Sequence, residues 1–267
     1  MSYSRVSKLN PCPVCKKPDW CRVFADGWVE CMRVQSDRPA KSGGWMHWQG
    51  QLSSGPSRSI PPSLPPRVAV PTINATKLHR DWLAATTPTQ LAEFAATLGL
   101  SVAALGSANA AWAGLFSAWA FPMCDGHGNI LGIRLRRPDG FKFAVRGSRQ
   151  GIFIADVPPQ KTLFVCEGPT DTAAAVELGL FAVGRPNCCC GGAEIKIYAR
   201  RHQCNRVVMI SDNDKPGLDG ACKVGAEIGL PFAVYVPPAK DLREFVRLGG
   251  TRAMIENTLK GTIWRNG

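Results

Sequence analysis

Leu163-Phe164-Val165-Cys166-Glu167-Gly168-Pro169-Thr170-Asp171 is the stretch on which the fold turns. Thr162 to Cys166 reads as a short strand buried on both faces, and an acid follows it at once. Gly168 allows close backbone approach, and Thr170 is expected to cap a helix running from Thr170 to Leu178. The same pattern then repeats. Leu180–Val183 predicts a strand, Ala193–Arg201 a helix, Arg206–Ile210 a strand, Leu218–Ile228 a helix and Phe232–Val236 a strand. Strands alternating with helices over short connections imply an α/β unit, a parallel sheet flanked by helices. Ligands of such sheets gather outside the carboxyl ends of the strands.

Acids stand at that edge. Glu167 follows the first strand, and Asp212 and Asp214 follow the third in Ile210-Ser211-Asp212-Asn213-Asp214-Lys215-Pro216-Gly217. In a flavodoxin-like strand order the first and third strands are neighbours, so the three acids converge. Either stretch alone has an ordinary account, as a loop turn or a helix cap. Together at strand ends they point to a site. Clustered carboxylates raise one another's pKa unless a cation joins them, and Mg²⁺ favours a few carboxylates plus phosphate oxygens.

These residues resemble the TOPRIM domain of primases, topoisomerases and some nucleases: Glu-Gly at a strand end, an acid four positions after the Glu, then Asp-x-Asp and Lys240-Asp241. The resemblance covers Leu163 to about Leu248. It implies that Glu167 is the general acid/base, that Asp212 and Asp214 hold catalytic Mg²⁺ or Mn²⁺ together with Glu167, and that Asp171 and Asp241 support them. Glu244 has no assigned role in it, because Leu242-Arg243 intervenes.

Upstream, Cys12-Pro13-Val14-Cys15 is a metal knuckle, with Cys21 and Cys31 completing a tetrahedral Zn²⁺ set and His47 as the weaker alternative to Cys21. So short a module has little core, and metal ligation would supply much of its folding free energy. The eleven cysteines otherwise read as buried thiols or loop residues, Cys188-Cys189-Cys190 among them, not as a disulfide framework. Trp20, Trp28, Trp45 and Trp48 suit stacking on bases or packing around the metal, and Arg22, Arg33, Arg38 and Lys41 suit phosphates. Pro56, Pro61, Pro62, Pro65, Pro66 and Pro71 make residues 50–74 a semi-rigid linker.

Between linker and sheet, residues 75–160 predict helices and then a basic antiparallel segment. Asp125-Gly126-His127-Gly128-Asn129 is its turn, and Arg134 and Arg136 share one face opposite the apolar Ile133 and Leu135. Arg134, Arg136, Lys142 and Arg146 would hold phosphates opposite the acids, with Lys215 and Lys240 at the acid loops. This block resembles the basic sheet of primases that cradles template and nucleotide.

The expected organisation is therefore an N-terminal four-cysteine zinc ribbon (1–49), a linker (50–74), a mixed α+β basic subdomain (75–160) and a TOPRIM parallel sheet with C-terminal helices (161–267). A net charge of +12 favours polyanionic partners. Without an apolar span or leader in the sequence, a cytoplasmic protein with no membrane partner is expected. The primase resemblance implies a nucleotidyltransferase that copies single-stranded DNA into short RNA primers from ribonucleoside triphosphates. With no phosphate-binding P-loop motif, unwinding falls to a separate helicase, as suits a phage or mobile element. A TOPRIM nuclease and a non-catalytic zinc-bearing DNA-binding module are the rival expectations.

Overall fold

A computed structural model describes residues 3–40, 42–49 and 73–267, and the chain divides into two compact units, Met1–Val68 and Ala69–Gly267. Lys41 and all but the last two residues of the expected linker lie outside the described residues.

The first unit is one antiparallel sheet in sequential order: β1 (Tyr3–Arg5), β2 (Arg22–Phe24), β3 (Trp28–Cys31) and β4 (Trp45–Trp48). Its buried core is Val6, Val29 and three of the cysteines, Cys12, Cys21 and Cys31. Two valines bury too little apolar surface to hold a fold by themselves.

The second unit opens with α1 (Ala75–Ala85), α2 (Pro88–Leu98) and α3 (Val102–Ser107). Each has a side-chain N-cap, from Asn74, Thr87 and Ser101, and Gly99 closes α2 in the left-handed region at φ 69°. An antiparallel sheet follows in the order β5 (Ala111–Ala113), β6 (Ala118–Cys124), β7 (Ile130–Arg136) and β8 (Lys142–Ala144). Ile133 and Leu135 of β7 are buried with Trp82 of α1, which leaves Arg134 and Arg136 on the opposite face.

The remaining elements are β9 (Phe153–Ile154), β10 (Thr162–Cys166), α4 (Pro169–Glu177), β11 (Ala182–Gly184), α5 (Gly192–Arg201), β12 (Arg206–Ile210), α6 (Lys215–Ile228), β13 (Phe232–Tyr235), α7 (Leu242–Arg247) and α8 (Arg252–Lys260). They build a sheet ordered β13-β12-β10-β11-β9, with parallel pairing throughout except for β9 at its edge. Phe164, Cys166, Val208 and Ile210 pack on one face with residues of α2, α4 and α7; Leu163, Val165, Val207 and Met209 pack on the other with α5 and α6. Helices on both faces explain why these strands are apolar at every position after their first residue, Thr162 and Arg206. At the far edge, Phe232 of β13 exchanges backbone hydrogen bonds with Arg265.

Two local expectations are corrected. Thr170 does not cap α4: Gly168, at φ 105°, takes the N-cap position without a side-chain bond, Pro169 starts the helix, and Thr172 Oγ1 donates back to the Gly168 carbonyl at 2.8 Å. The third helix starts at Lys215, before Leu218, because Asp214 caps it and Pro216 fits a first turn that needs no N–H.

Close packing at the end of β11 leaves no room for a side chain. A Cβ on Gly184 would run into Thr172 Oγ1 and come within 2.8 Å of the Gly168 carbonyl. Gly184→Ala is expected to lower stability by about 1–3 kcal/mol in urea denaturation, as overpacking does.

Candidate active site and cysteine centre

Pairing β10 with β12 in parallel, Val165 opposite Met209, ends both strands at one edge of the sheet. Glu167 emerges one residue after β10 and Asp212 two residues after β12. Asp212 is half-buried, and its carboxylate accepts no hydrogen bond among the described residues. Burial, then the negative charges of Glu167, Asp241 and Asp214, push it up to about 6, against the opposing pull of Lys142. Asp171, on the first turn of α4, is buried and accepts from the Arg243 backbone N–H at 3.1 Å. Burial, then Asp241 and Asp212, raise it to about 7.

Asp214 and Asp241 have a second duty. Each is an N-cap, Asp214 accepting from Gly217 N and Asp241 from Glu244 N, both at 2.7 Å. The Asn213 N–H donates to the Lys240 carbonyl at 2.9 Å and ties the two acid loops together. Glu244 has other partners, accepting on Oε1 from Arg247 at 3.1 Å and on Oε2 from the Lys240 N–H at 3.3 Å. The acids share a field but not a closed ligand shell: among the described residues, only the cysteines bring three or more metal-type donors within 4.8 Å.

Arg185 was not singled out by sequence. It follows β11 level with Glu167, since Gly184 lies opposite Cys166, and it is 0 % exposed. Its Nη2 donates to Glu167 Oε2 at 3.4 Å and to the Ile210 carbonyl at 3.5 Å, and its Nη1 to the Cys188 carbonyl at 2.6 Å. One cation thus spans the ends of three parallel strands. The available signal was its place, a charged residue directly after an apolar strand.

The basic candidates separate. Arg136 lies opposite Lys142 in the β7–β8 register, is half-buried, and senses Arg243, Asp171 and Asp241. Arg134 Nη2 donates to the Pro186 carbonyl at 3.2 Å, while its Nε is buried without a partner. Arg146 is exposed with no side-chain bond among the described residues, Lys215 pairs in solvent with Asp219 at 3.2 Å, and Lys240 contributes backbone. The structure therefore brings Arg136 and Lys142 to the acids and leaves the Arg146 and Lys215 side chains in solvent.

In the first unit the sulfurs of Cys12, Cys15, Cys21 and Cys31 all lie within 4.8 Å of one another. Cys15–Cys21 and Cys21–Cys31 are 3.7 Å and 4.0 Å apart, close to the edge of about 3.8 Å of a tetrahedron built on Zn–S bonds of about 2.3 Å. Backbone N–H groups of Met32 and Val34 donate to Cys21 and Cys31 at 3.4 Å and 3.3 Å, as suits thiolate acceptors. The four sulfurs can bind structural Zn²⁺. His47 lies elsewhere, its Nε2 3.0 Å from the Val34 carbonyl, so Cys21 completes the set. Of the loop cysteines, Cys188 is half-buried and Cys189 and Cys190 are exposed, so they are loop residues and not buried thiols.

Two outcomes follow from this geometry. One zinc per chain is expected by elemental analysis; Cys21→Ser should lose it and unfold the first unit alone, whereas His47→Ala should retain it. Asp171 binds its proton more tightly folded than unfolded, so its contribution to stability falls as pH rises from about 4 to about 7. Asp171→Asn should flatten that slope and add about 1–3 kcal/mol to the metal-free protein at pH 8, measured by denaturation across pH.

No protein-family model matches the chain, and no curated protein matches it by sequence. Solved structures do. The E. coli primase catalytic core superposes with a TM-score of 0.55 at 16% identity, over 71% of this chain and 79% of that one. The zinc-binding and RNA polymerase domains of Aquifex aeolicus primase give 0.57 at 13%, over 72% and 60%. The RNA polymerase domain of Mycobacterium tuberculosis primase DnaG, in complex with a double-stranded DNA oligomer with a 6-nucleotide overhang, gives 0.53 at 16%, over 71% and 79%. The chain has the fold of primase catalytic cores, and the four-cysteine cluster near its N-terminus fits a zinc ribbon.

Proposed function

We propose that the chain is a primase that copies single-stranded DNA into short RNA primers. The observation that carries this reading is the meeting of Glu167 and Asp212 at the paired ends of β10 and β12, with Lys142 of the basic sheet acting on Asp212 and Arg136 on the neighbouring Asp171 and Asp241. A nuclease needs the acids; a template-directed polymerase also needs a cationic surface facing them for the strand and the nucleotide phosphates. In this reading residues 75–160 and 161–267 act together as the catalytic core, and residues 1–49 as a zinc-bearing template reader.

The donor set suits Mg²⁺ or Mn²⁺. Oxygen ligands alone, spaced too widely for a closed shell, leave coordination positions for water and phosphate. Asp212 and Asp214 would hold the ion with Glu167 at its border, and the bound ion would offset charge on the reacting phosphates. Asp212, with no hydrogen bond of its own, is the acid left free for that task. Burial and like charges raise its pKa, and a bound cation would relieve both.

The chain's residues then act on the nucleotide. The 3′-hydroxyl oxygen forms a bond to the α-phosphorus, the bond from that phosphorus to the bridging oxygen breaks, and pyrophosphate leaves. Glu167 accepts the hydroxyl proton on Oε1, which has no partner among the described residues, while Arg185 holds Oε2. Arg134, Arg136 and Lys142 hold template and nucleotide phosphates; Arg146, Lys215 and Lys240 lie further out and attract the strand over a longer range.

On the zinc-bearing unit, Trp48 is 52 % and Trp20 is 76 % exposed. The Trp28 and Trp48 rings are 5.2 Å apart, and the Arg38 guanidinium lies 5.1 Å over Trp28. Exposed rings beside a guanidinium favour stacking on unpaired template bases. The Zn²⁺ would hold that surface in shape.

The test is synthesis of labelled oligoribonucleotides on single-stranded DNA with Mg²⁺. Wild-type protein should make short RNA products, and Glu167→Gln and Asp212→Asn should each reduce the rate at least about a hundredfold. Shortening of the DNA would favour a nuclease, and binding without either reaction a non-catalytic module. A separate helicase partner is expected to raise primer output on duplex DNA.

A further inference from the structure

Cys188-Cys189-Cys190 lies in the loop between β11 and α5, and primer synthesis makes no use of its thiols. The sulfurs of Cys188 and Cys189 are 3.3 Å apart. Cys188 is half-buried, while Cys189 is open to solvent. The loop is no second metal centre: among the described residues only Cys12, Cys15, Cys21 and Cys31 bring three or more metal-type donors within 4.8 Å. Two thiols in contact, one of them reachable from solution, are suited to thiol–disulfide exchange.

The same loop holds two cations of the acid site through its backbone. The Pro186 carbonyl accepts from Arg134 Nη2 at 3.2 Å. The Cys188 carbonyl accepts from Arg185 Nη1 at 2.6 Å, a shorter bond than those of Nη2 to Glu167 Oε2 at 3.4 Å and to the Ile210 carbonyl at 3.5 Å. That carbonyl is also seated on α6, where a Cβ on Gly220 would run into it. The Cys189 N–H donates to Asn187 Oδ1 at 3.0 Å. Cys188 is thus anchored by its backbone, and Cys189 presents its side chain outward.

The Cys188 carbonyl belongs to the peptide bond that joins the two cysteines, so a bridge between their sulfurs would close a small ring through that bond. Adjacent Cα atoms lie about 3.8 Å apart, less than the roughly 4.4–6.8 Å that disulfides usually span. Ring closure therefore twists the peptide, and a strained, exposed bridge is readily reduced again. We propose that Cys188 and Cys189 form a reversible dithiol site for low-molecular-weight disulfides, and that bridging them turns the Cys188 carbonyl off Arg185 and loosens its hold on Glu167. The Cys189 sulfur attacks one sulfur of the small disulfide; that S–S bond breaks, and the departing thiolate takes up the Cys189 proton. The Cys188 sulfur then attacks Cys189 Sγ in the mixed disulfide, and the second small thiol leaves with the Cys188 proton. The two cysteines give up two electrons, and the small disulfide gains them.

Only the effect on catalysis rests on the primer-synthesis reading; the bridge is read by mass. The zinc-loaded full chain is equilibrated in glutathione buffers of rising disulfide fraction. Peptide mapping, zinc content, urea denaturation and primer synthesis are followed together. A Cys188–Cys189 bridge should form while zinc is still bound and should lower the denaturation midpoint of the second unit. It should also reduce kcat about tenfold with the KM for ATP within about twofold, and dithiothreitol should reverse every change. Cys189→Ser should prevent all of this and keep the wild-type rate when reduced, whereas Cys190→Ser should still respond. No bridge, a bridge between another pair, zinc lost first, or a bridge that leaves the midpoint or the kcat of an active protein unchanged overturns the proposal. A mapped bridge with a lowered midpoint, in a chain that makes no primers when reduced, supports the site and sinks the synthesis reading.

Discussion

Parallel hydrogen bonding between β10 and β12 is the constraint on which the rest of the second unit depends. Parallel neighbours finish at the same edge, so residues far apart in sequence are delivered side by side. Glu167, Arg185 and Asp212 stand after three strands of one sheet for that reason. An antiparallel partner in place of β12 would have sent its acid to the opposite edge. The fully buried Arg185 then bonds the ends of all three strands at once, joining Glu167, the Ile210 carbonyl and the loop at Cys188. A buried cation survives only where such partners compensate its desolvation, so this knot and the strand order support each other.

Electrostatics extend the same frame outward. Five carboxylates meet in a partly buried site, where burial and mutual repulsion drive Asp171 to about 7 and Asp212 to about 6. Two of the remaining acids, Asp214 and Asp241, are partly relieved by capping helices, which is also what orients them. The outer sheet answers with Arg136 and Lys142 on a single face. The β7 alternation that buries Ile133 and Leu135 obliges the arginines to face the other way.

Much of this was legible in the chain. Strand–helix alternation with an acid after each key strand located the sheet, and the spacing of Cys12, Cys15, Cys21 and Cys31 located the sulfur cluster. What escaped has physical causes. Thr170 looked like a cap because hydroxyls commonly are, but the left-handed turn at Gly168 moves the helix start ahead of it. Pro216 looked like part of a turn, although the first turn of a helix accepts proline readily. The contacts of Arg185 with Glu167 and the Ile210 carbonyl join elements distant in sequence, and no local periodicity announces those. The double use of Asp214 and Asp241 was likewise hidden, since a capping acid and a metal-binding acid are the same letter.

The edges of the parallel sheet carry a further consequence. The antiparallel β9 occupies one, and the backbone of Arg265 engages the other at Phe232. Among the described residues one edge ends in a two-residue strand and the other is closed at Phe232 within a four-residue strand, so a foreign strand would find only a short ladder to extend. Whatever docks on it must be recognised by side chains and shape, because main-chain augmentation has little purchase there.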